Sequence, residues 1–524
     1  MSKKPCYSIY RSLKAFMAYE PNIKPVVILH GSCVLEDEEE LKKLAEFLTE
    51  TDSEYRAVCT FFIMKDTSQE LELLSRYSNI PQVKRNADFI LNDLCAEHIV
   101  PIHTNELYVE DSENMIPINR ILTTCDKVLM CFYSAAAAEE FVNSAKRLRD
   151  PAFCLLYYNC KYVCEPAGAA RLYTVPTPFS SFSDSTPREW RFREAPERPE
   201  HLQSAKDMKS VYKKTYHSVK VEAYSGEPKD VFGGKKFNLH DEDITETLPG
   251  GESLLFICDD CFIKIYKHTE NGLEDKIRLL ASYDGFFGEK IIFPSCLIYD
   301  EKNNFAGFSM RKAGKTKSVT LTYAANTGLP EDLEFTDQSA PDFRLTEWEV
   351  FDRKKVLREI IVLLLEIRLF DMDILDLSMM NIIVDLHSDV NIIDSNSFQT
   401  DGFTNDLMPE LHHPDIPAGT GWYREQKYTD FLFAIMLFRC MLHDADPSDP
   451  EDSTESGFKN SHEPFHYKVD DVSEVNNGEA CLLWLSLDKK LRESFCSVFN
   501  FEKILTPGEW IEILQASDHT KLYD

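Results

Sequence analysis

The sequence is short of positive charge. Its 57 Lys and Arg residues face 88 Asp and Glu, a formal net charge of −31. A surface this acidic repels phosphate backbones and anionic lipid, so nucleic acid and membranes are not expected partners. Pro187 to Lys236 is a local exception, richer in Lys and Arg than the rest. Long apolar runs are lacking too. The longest, Phe431 to Phe438, falls far short of the ~18 residues that suggest a membrane span. The N-terminus lacks the basic, apolar and small-residue succession of a secretory signal. Fifteen cysteines are scattered without a framework. Cys258-Asp-Asp-Cys261 reads as a hairpin tip between two strands. Cys154, Cys160 and Cys164 have no His pattern to complete a metal site. These absences point to a cytoplasmic chain with free, buried thiols.

What is present is apolar enough to fold. Hydrophobic residues make up 43% of the chain and aromatics 12%. A length of 524 residues exceeds what one core supports, so several folded units are expected. Residues 1–172 alternate strand-like and helix-like segments. Pro25 to His30, Val58 to Met64, Ile99 to Ile102, Lys127 to Tyr133 and Phe153 to Tyr158 read as strands. Asp37 to Thr49, Asp88 to Cys95 and Ala135 to Leu148 read as helices. This alternation predicts an α/β domain, Rossmann-like, with a mostly parallel sheet. The turn His30-Gly-Ser-Cys33 has neither the glycines nor the Lys of a phosphate loop. Residues 173–240 read as a Pro-rich linker, broken by Pro176, Pro178, Pro187, Pro196 and Pro199.

The stretch Ile374-Leu-Asp-Leu-Ser-Met-Met-Asn-Ile-Ile-Val-Asp385 carries the chemistry. Asp376 and Asn381 stand in D-x-x-x-x-N spacing, and an apolar strand follows. A polar turn leads to a second strand, Asn391 to Ile393, which delivers Asp394 at its end. Phosphoryl transfer needs this layout: one carboxylate to take the proton of the attacking hydroxyl, and a second with an amide oxygen to hold divalent ions. Upstream, Leu248-Pro-Gly-Gly-Glu-Ser-Leu-Leu-Phe256 places Gly250 and Gly251 just before a strand, where backbone can close over phosphates. Lys264 lies inside the next strand, where a charge is costly unless paired. Glu274, opening a helix over Leu273 to Ala281, is the candidate partner. Ser309 to Ala313, including Met310, sits where two lobes would join and receive adenine. Downstream come Met408-Pro-Glu410 and an apolar helix with Asp430 near its start.

Residues ~245 to 515 resemble a eukaryotic-type protein kinase domain, closest to a divergent bacterial Ser/Thr kinase group. The resemblance rests on Leu248 to Glu252, Tyr299 to Glu301, Asp376, Asn381 and Asp394-Ser-Asn-Ser-Phe-Gln399. It implies an α+β bilobal protein-kinase-like domain over 241–520, with an N-lobe to about 312. It also implies ATP and Mg²⁺ as cofactors and a protein substrate. In that reading Asp376 is the base, and Asn381 and Asp394 are the metal ligands. Gly250, Gly251, Lys264, Glu274 and Met310 bind the nucleotide. Three departures stand out. Ile374-Leu375 replaces the His-Arg before the catalytic Asp. Ser378 replaces a substrate-side Lys, and Ser395-Asn396 replaces Phe-Gly. They keep two alternatives open, a nucleotide-binding pseudokinase and a small-molecule kinase.

Overall fold

The computed structural model describes residues 26–29, 31–48, 60–95, 99–102, 128–132, 154–157, 162–165, 171–174, 214–223, 236–239, 244–249, 252–270, 272–313, 318–325, 352–370, 372–385, 387–400, 422–447, 465–475 and 478–516. Positions 10, 14, 234, 403, 413, 414, 416 and 522 are described singly. The expected helix over Ala135 to Leu148 lies outside these residues.

The N-terminal part contains β1 (Val26–Leu29), α1 (Glu38–Leu48), β2 (Thr60–Met64), α2 (Lys65–Tyr77), α3 (Pro81–Phe89), β3 (Ile99–Ile102), β4 (Val128–Phe132), β5 (Cys154–Tyr157), β6 (Tyr162–Glu165) and β7 (Arg171–Thr174). Its seven strands run in the order β3-β2-β1-β4-β5-β6-β7. The first five are parallel, and β6 and β7 add antiparallel at one edge. α1 has the expected amphipathic spacing, with Leu41, Leu44 and Phe47 buried. The helix expected over Asp88 to Cys95 begins earlier, at Pro81, and closes in a π-helical turn over Ile90–Cys95.

A second sheet is wholly antiparallel. It contains β8 (Thr215–Lys220), β9 (Lys236–Asn238), β10 (Ile244–Pro249), β11 (Ser253–Cys258), β12 (Cys261–Tyr266), β13 (Pro294–Asp300) and β14 (Phe305–Arg311). Their order is β10-β11-β12-β14-β13-β8-β9. α4 (Leu273–Ala281) is inserted between β12 and β13, so β13 pairs with β14 rather than with β12. β8 and β9 fall inside the stretch read as linker. Tyr216 and Ser218 alternate inward on β8, and their strand covers the free edge of β13. Residues 214–220 and 236–239 thus extend the N-lobe sheet.

The C-lobe contains β15 (Ser318–Thr320), α5 (Leu321–Ala325), α6 (Arg353–Leu369), β16 (Met372–Ile374), β17 (Ile382–Asp385), β18 (Val390–Ile392), β19 (Phe398–Thr400), α7 (Trp422–Met441), α8 (Gly478–Ser486), α9 (Lys489–Phe499) and α10 (Pro507–Ala516). α8 and α9 are separated by a break at Leu487, with Asp488 at the start of α9. Asp352 caps α6, its side chain accepting from the Lys355 amide at 3.0 Å. α6 is buried nearly all round, from Val356 to Leu369. An aromatic cluster joins the lobes. Phe286 lies 4.8 Å from Phe370 and Phe293 lies 5.9 Å from Phe398, centroid to centroid. Among the described residues no helix is long and apolar enough to cross a membrane. A seven-stranded antiparallel sheet with one inserted helix, set on a helical lobe with a short hairpin between them, fits a kinase-like α+β fold.

Candidate active site

The hairpin expected between Asn381 and Asp394 is formed by β17 and β18. Ile382 faces Ile392 and Val384 faces Val390. Asp385 makes the turn, its carboxylate accepting from the amides of His387 and Asp389, both at 2.9 Å. The Ile393 amide donates to the Asn381 carbonyl at 2.9 Å. That bond fixes Asn381 beside the residue preceding Asp394.

The loop before the hairpin is held from within. Ser378 caps the short turn Met379–Asn381, its hydroxyl accepting from the Met380 amide. Asn381 Nδ2 donates to Asp376 Oδ2 at 2.9 Å and to the Asp376 carbonyl at 3.2 Å. The amide nitrogen is thereby spent on Asp376, which leaves Oδ1 of Asn381 as the donor a cation can use. Burial raises the Asp376 pKa above the ordinary value. Asn381 opposes this, Asp394 adds to it, and Lys264 opposes it. Asp376, Asn381, Asp394 and Lys264 therefore form one electrostatic group.

Asp394 adopts a left-handed backbone, φ 58° and ψ 38°. Non-glycine residues in that region are uncommon and cluster at functional sites. Lys264 Nζ donates to Asp394 Oδ1 at 2.6 Å and to Asn396 Oδ1 at 3.0 Å. Ser395 Oγ donates to the Ile292 carbonyl at 2.8 Å. The loop after β18 is thus tied to the N-lobe at two points.

Glu274 is not the partner of Lys264. It accepts from the Tyr299 hydroxyl at 2.7 Å and from Arg278 Nη2 at 2.8 Å. These bonds hold its carboxylate below the ordinary range, Tyr299 contributing most. The cause is helix phase. α4 buries Lys276, Ile277, Leu280 and Ala281, which turns Glu274 toward solvent. Met310 is buried on β14, opposite Phe262 and Pro294. Gly250, Gly251 and Met408-Pro-Glu410 lie outside the described residues.

The central helix holds the candidate catalytic loop, with help from a residue that spacing did not flag. Thr429 Oγ1 donates to the Ile374 carbonyl at 3.2 Å. Arg368 Nη2 lies 2.8 Å from Asp430 Oδ1 and 3.3 Å from Asp373 Oδ2. Both aspartates are buried. Arg368 thereby supplies a half-buried cation close to the loop that lacks the usual Arg. An arginine on the mostly apolar face of α6, five residues before Asp373, was the available signal.

The donor set suits Mg²⁺. Among the described residues no group of three or more His, Cys, Asp or Glu side chains is placed to hold a metal ion. A magnesium site needs fewer, one or two carboxylates completed by phosphate and water. Asp394 and Asn381 Oδ1 fit that requirement.

No protein-family model matches the chain, and no curated protein matches it. Among solved structures, it is similar to a rhoptry kinase from Toxoplasma gondii. Identity is 12% and TM-score 0.31, over 50% of this chain and 74% of that one. A second is the Toxoplasma gondii specific rhoptry antigen kinase domain, at 11% and 0.29, over 50% and 74%. A third is the ROP18 kinase domain in complex with AMP-PNP and sucrose, at 10% and 0.34, over 58% and 84%. These likenesses are remote, and function has to be read from the site itself.

Proposed function

We propose that the chain is an ATP- and Mg²⁺-dependent phosphotransferase that acts on Ser or Thr hydroxyls of proteins. One observation carries this reading. Lys264 reaches across from the N-lobe sheet to Asp394, while Asn381, on the same hairpin, is bonded to Asp376. A strand lysine, a carboxylate after the hairpin and a carboxylate–amide pair before it are the groups that phosphoryl transfer uses.

Asp376 accepts the proton of the acceptor hydroxyl. The hydroxyl oxygen bonds to the γ-phosphorus as the bond to the β–γ bridging oxygen breaks, and ADP leaves with that electron pair. Asp394 and Asn381 would hold Mg²⁺, which supplies charge neutralisation at the β- and γ-phosphates. Lys264 exchanges its bond to Asp394 for one to the α- and β-phosphates. Since burial raises the Asp376 pKa, the ionised base is lost as pH falls through that raised value, and the rate falls with it.

A second reading, a nucleotide-binding pseudokinase, is favoured by one specific observation. Glu274 is committed to Tyr299 and Arg278, so the helix glutamate that pairs the strand lysine in active kinases is not supplied from that position. Transfer of γ-phosphate to the chain itself and to a peptide mixture, compared for wild type, Asp376→Ala and Asp394→Ala, decides between them. Mg²⁺-dependent incorporation by wild type, reduced at least a hundredfold in both variants, supports the enzyme. Equal incorporation by all three sinks the assignment. Nucleotide binding without any transfer selects the pseudokinase.

A further inference from the structure

A lysine ammonium is aimed by the groups it donates to. It is a point charge with three donors on a flexible stem, so an unbraced one sweeps a wide volume. Among the described residues, both side-chain partners of Lys264 come from the loop after β18. Its Nζ donates to Asp394 Oδ1 at 2.6 Å and to Asn396 Oδ1 at 3.0 Å. α4 supplies neither partner. Of its two acids, Glu274 is committed to Tyr299 and Arg278, and Asp275 is exposed.

Asn396 stands on a turn fixed by the chain's own bonds. Ser395–Ser397 forms one 3-10 turn, and the Ser397 amide donates to the Asp394 carbonyl at 3.1 Å. Ser397 Oγ donates to the same carbonyl at 2.9 Å, and Ser395 Oγ to the Ile292 carbonyl at 2.8 Å. Directly after the turn, buried Phe398 pairs with Ile374 of β16. Asn396 is therefore presented to Lys264 from a braced backbone.

The two partners of Lys264 differ in what else is asked of them. Asp394 is the candidate metal ligand, and its carboxylate is drawn to Mg²⁺ when nucleotide binds. The donor that Lys264 then frees turns to the phosphates. Asn396 is the partner that stays. Its amide oxygen is neutral, so it accepts from the ammonium without cancelling the charge that attracts a phosphate.

Resting on the nucleotide reading above, we propose that Asn396 is the positioning residue for Lys264, holding its ammonium against the α- and β-phosphates in place of a helix glutamate. The brace and the candidate metal ligand then lie two residues apart on one loop, and no movement of α4 is needed to assemble the site.

A double-mutant cycle on the full chain tests this, read by calorimetry of AMP-PNP with Mg²⁺. Asn396→Ala should bind AMP-PNP roughly tenfold more weakly, as expected for one lost hydrogen bond to a charged group. Lys264→Met should bind more weakly still, and adding Asn396→Ala to it should cost nothing further. Adenosine has no phosphates, so Asn396→Ala should bind it as wild type does. Asn396→Asp keeps an oxygen at that place and should restore most of the AMP-PNP affinity. A second cycle, between Lys264→Met and Glu274→Gln, should show no coupling. Additive losses in Asn396→Ala and Lys264→Met, an equal loss of adenosine binding, or wild-type AMP-PNP affinity in Asn396→Ala overturns the proposal while the nucleotide reading stands. Coupling of Lys264 to Glu274 with none to Asn396 also overturns it. Failure of wild type itself to bind AMP-PNP removes the nucleotide reading, and the role of Asn396 with it.

Discussion

Gly307 shows how narrowly Lys264 is held. A Cβ built on this glycine would lie 1.9 Å from the Lys264 carbonyl oxygen and 3.0 Å from Ile265 Cα. Both are backbone atoms of the paired strand, so no side-chain rotation relieves the clash. Gly307→Ala should push β12 from β14, cost about 1–3 kcal/mol as overpacking does, and weaken Mg-nucleotide binding. Thermal unfolding and calorimetry check the two effects. Asp373 gives a pH test. Burial lifts its pKa from 3.8 to about 6, against the pull of Arg368. The folded chain therefore holds a proton in this window that the unfolded chain releases. The stabilisation this gives is full below 3.8 and is lost as pH rises through about 6. Denaturant titrations should show stability falling over that window, and Asp373→Asn should flatten the fall. Residue spacing alone made Asp376, Asn381, Asp394 and Lys264 legible, because strand, turn and loop are local. The phase of α4 was not legible from its first acid. It follows from which residues the sheet accepts, and Lys276 stands four before buried Leu280, the spacing of one helix face.

At the scale of elements, α6 does more than precede the candidate catalytic loop. Glu366 is fully buried on it and accepts from Ser78 Oγ at 2.7 Å and from Asn79 Nδ2 at 3.1 Å. Ser78 and Asn79 directly follow α2, so the N-terminal part caps this carboxylate. Arg358, on the same helix, lies 4.1 Å from the Tyr77 ring centroid. Burial raises the Glu366 pKa, and the bonds from Ser78 and Asn79 resist the rise. Ser78→Ala should cost about 1–3 kcal/mol, because it leaves a buried acceptor short of a donor. Combined with Glu366→Leu, the same change should cost much less, a coupling that a double-mutant cycle in urea measures. Additive costs would deny the contact. This dock was invisible in the sequence, where its partners stand 288 residues apart. Strands β8 and β9 escaped notice for a related reason. Their short alternation is meaningful only against the exposed edge of β13.

Across the whole molecule, one apolar core runs from Leu44, Leu74 and Val83 of the N-terminal part through Ile360, Leu363 and Ile367 of α6 to Phe431 and Trp510. The N-terminal part is therefore packed against the helical lobe and not merely tethered to it. The candidate catalytic groups stand where Lys264 of the antiparallel sheet meets Asp394, just after the β17–β18 hairpin. The decisive measurement is titration of AMP-PNP into the full chain by calorimetry, with and without Mg²⁺, for wild type and Asp394→Ala. The phosphotransferase assignment predicts saturable one-to-one binding that Mg²⁺ strengthens in wild type, and loss of that Mg²⁺ dependence in Asp394→Ala. Binding that is identical with and without Mg²⁺, or unchanged by Asp394→Ala, would contradict it.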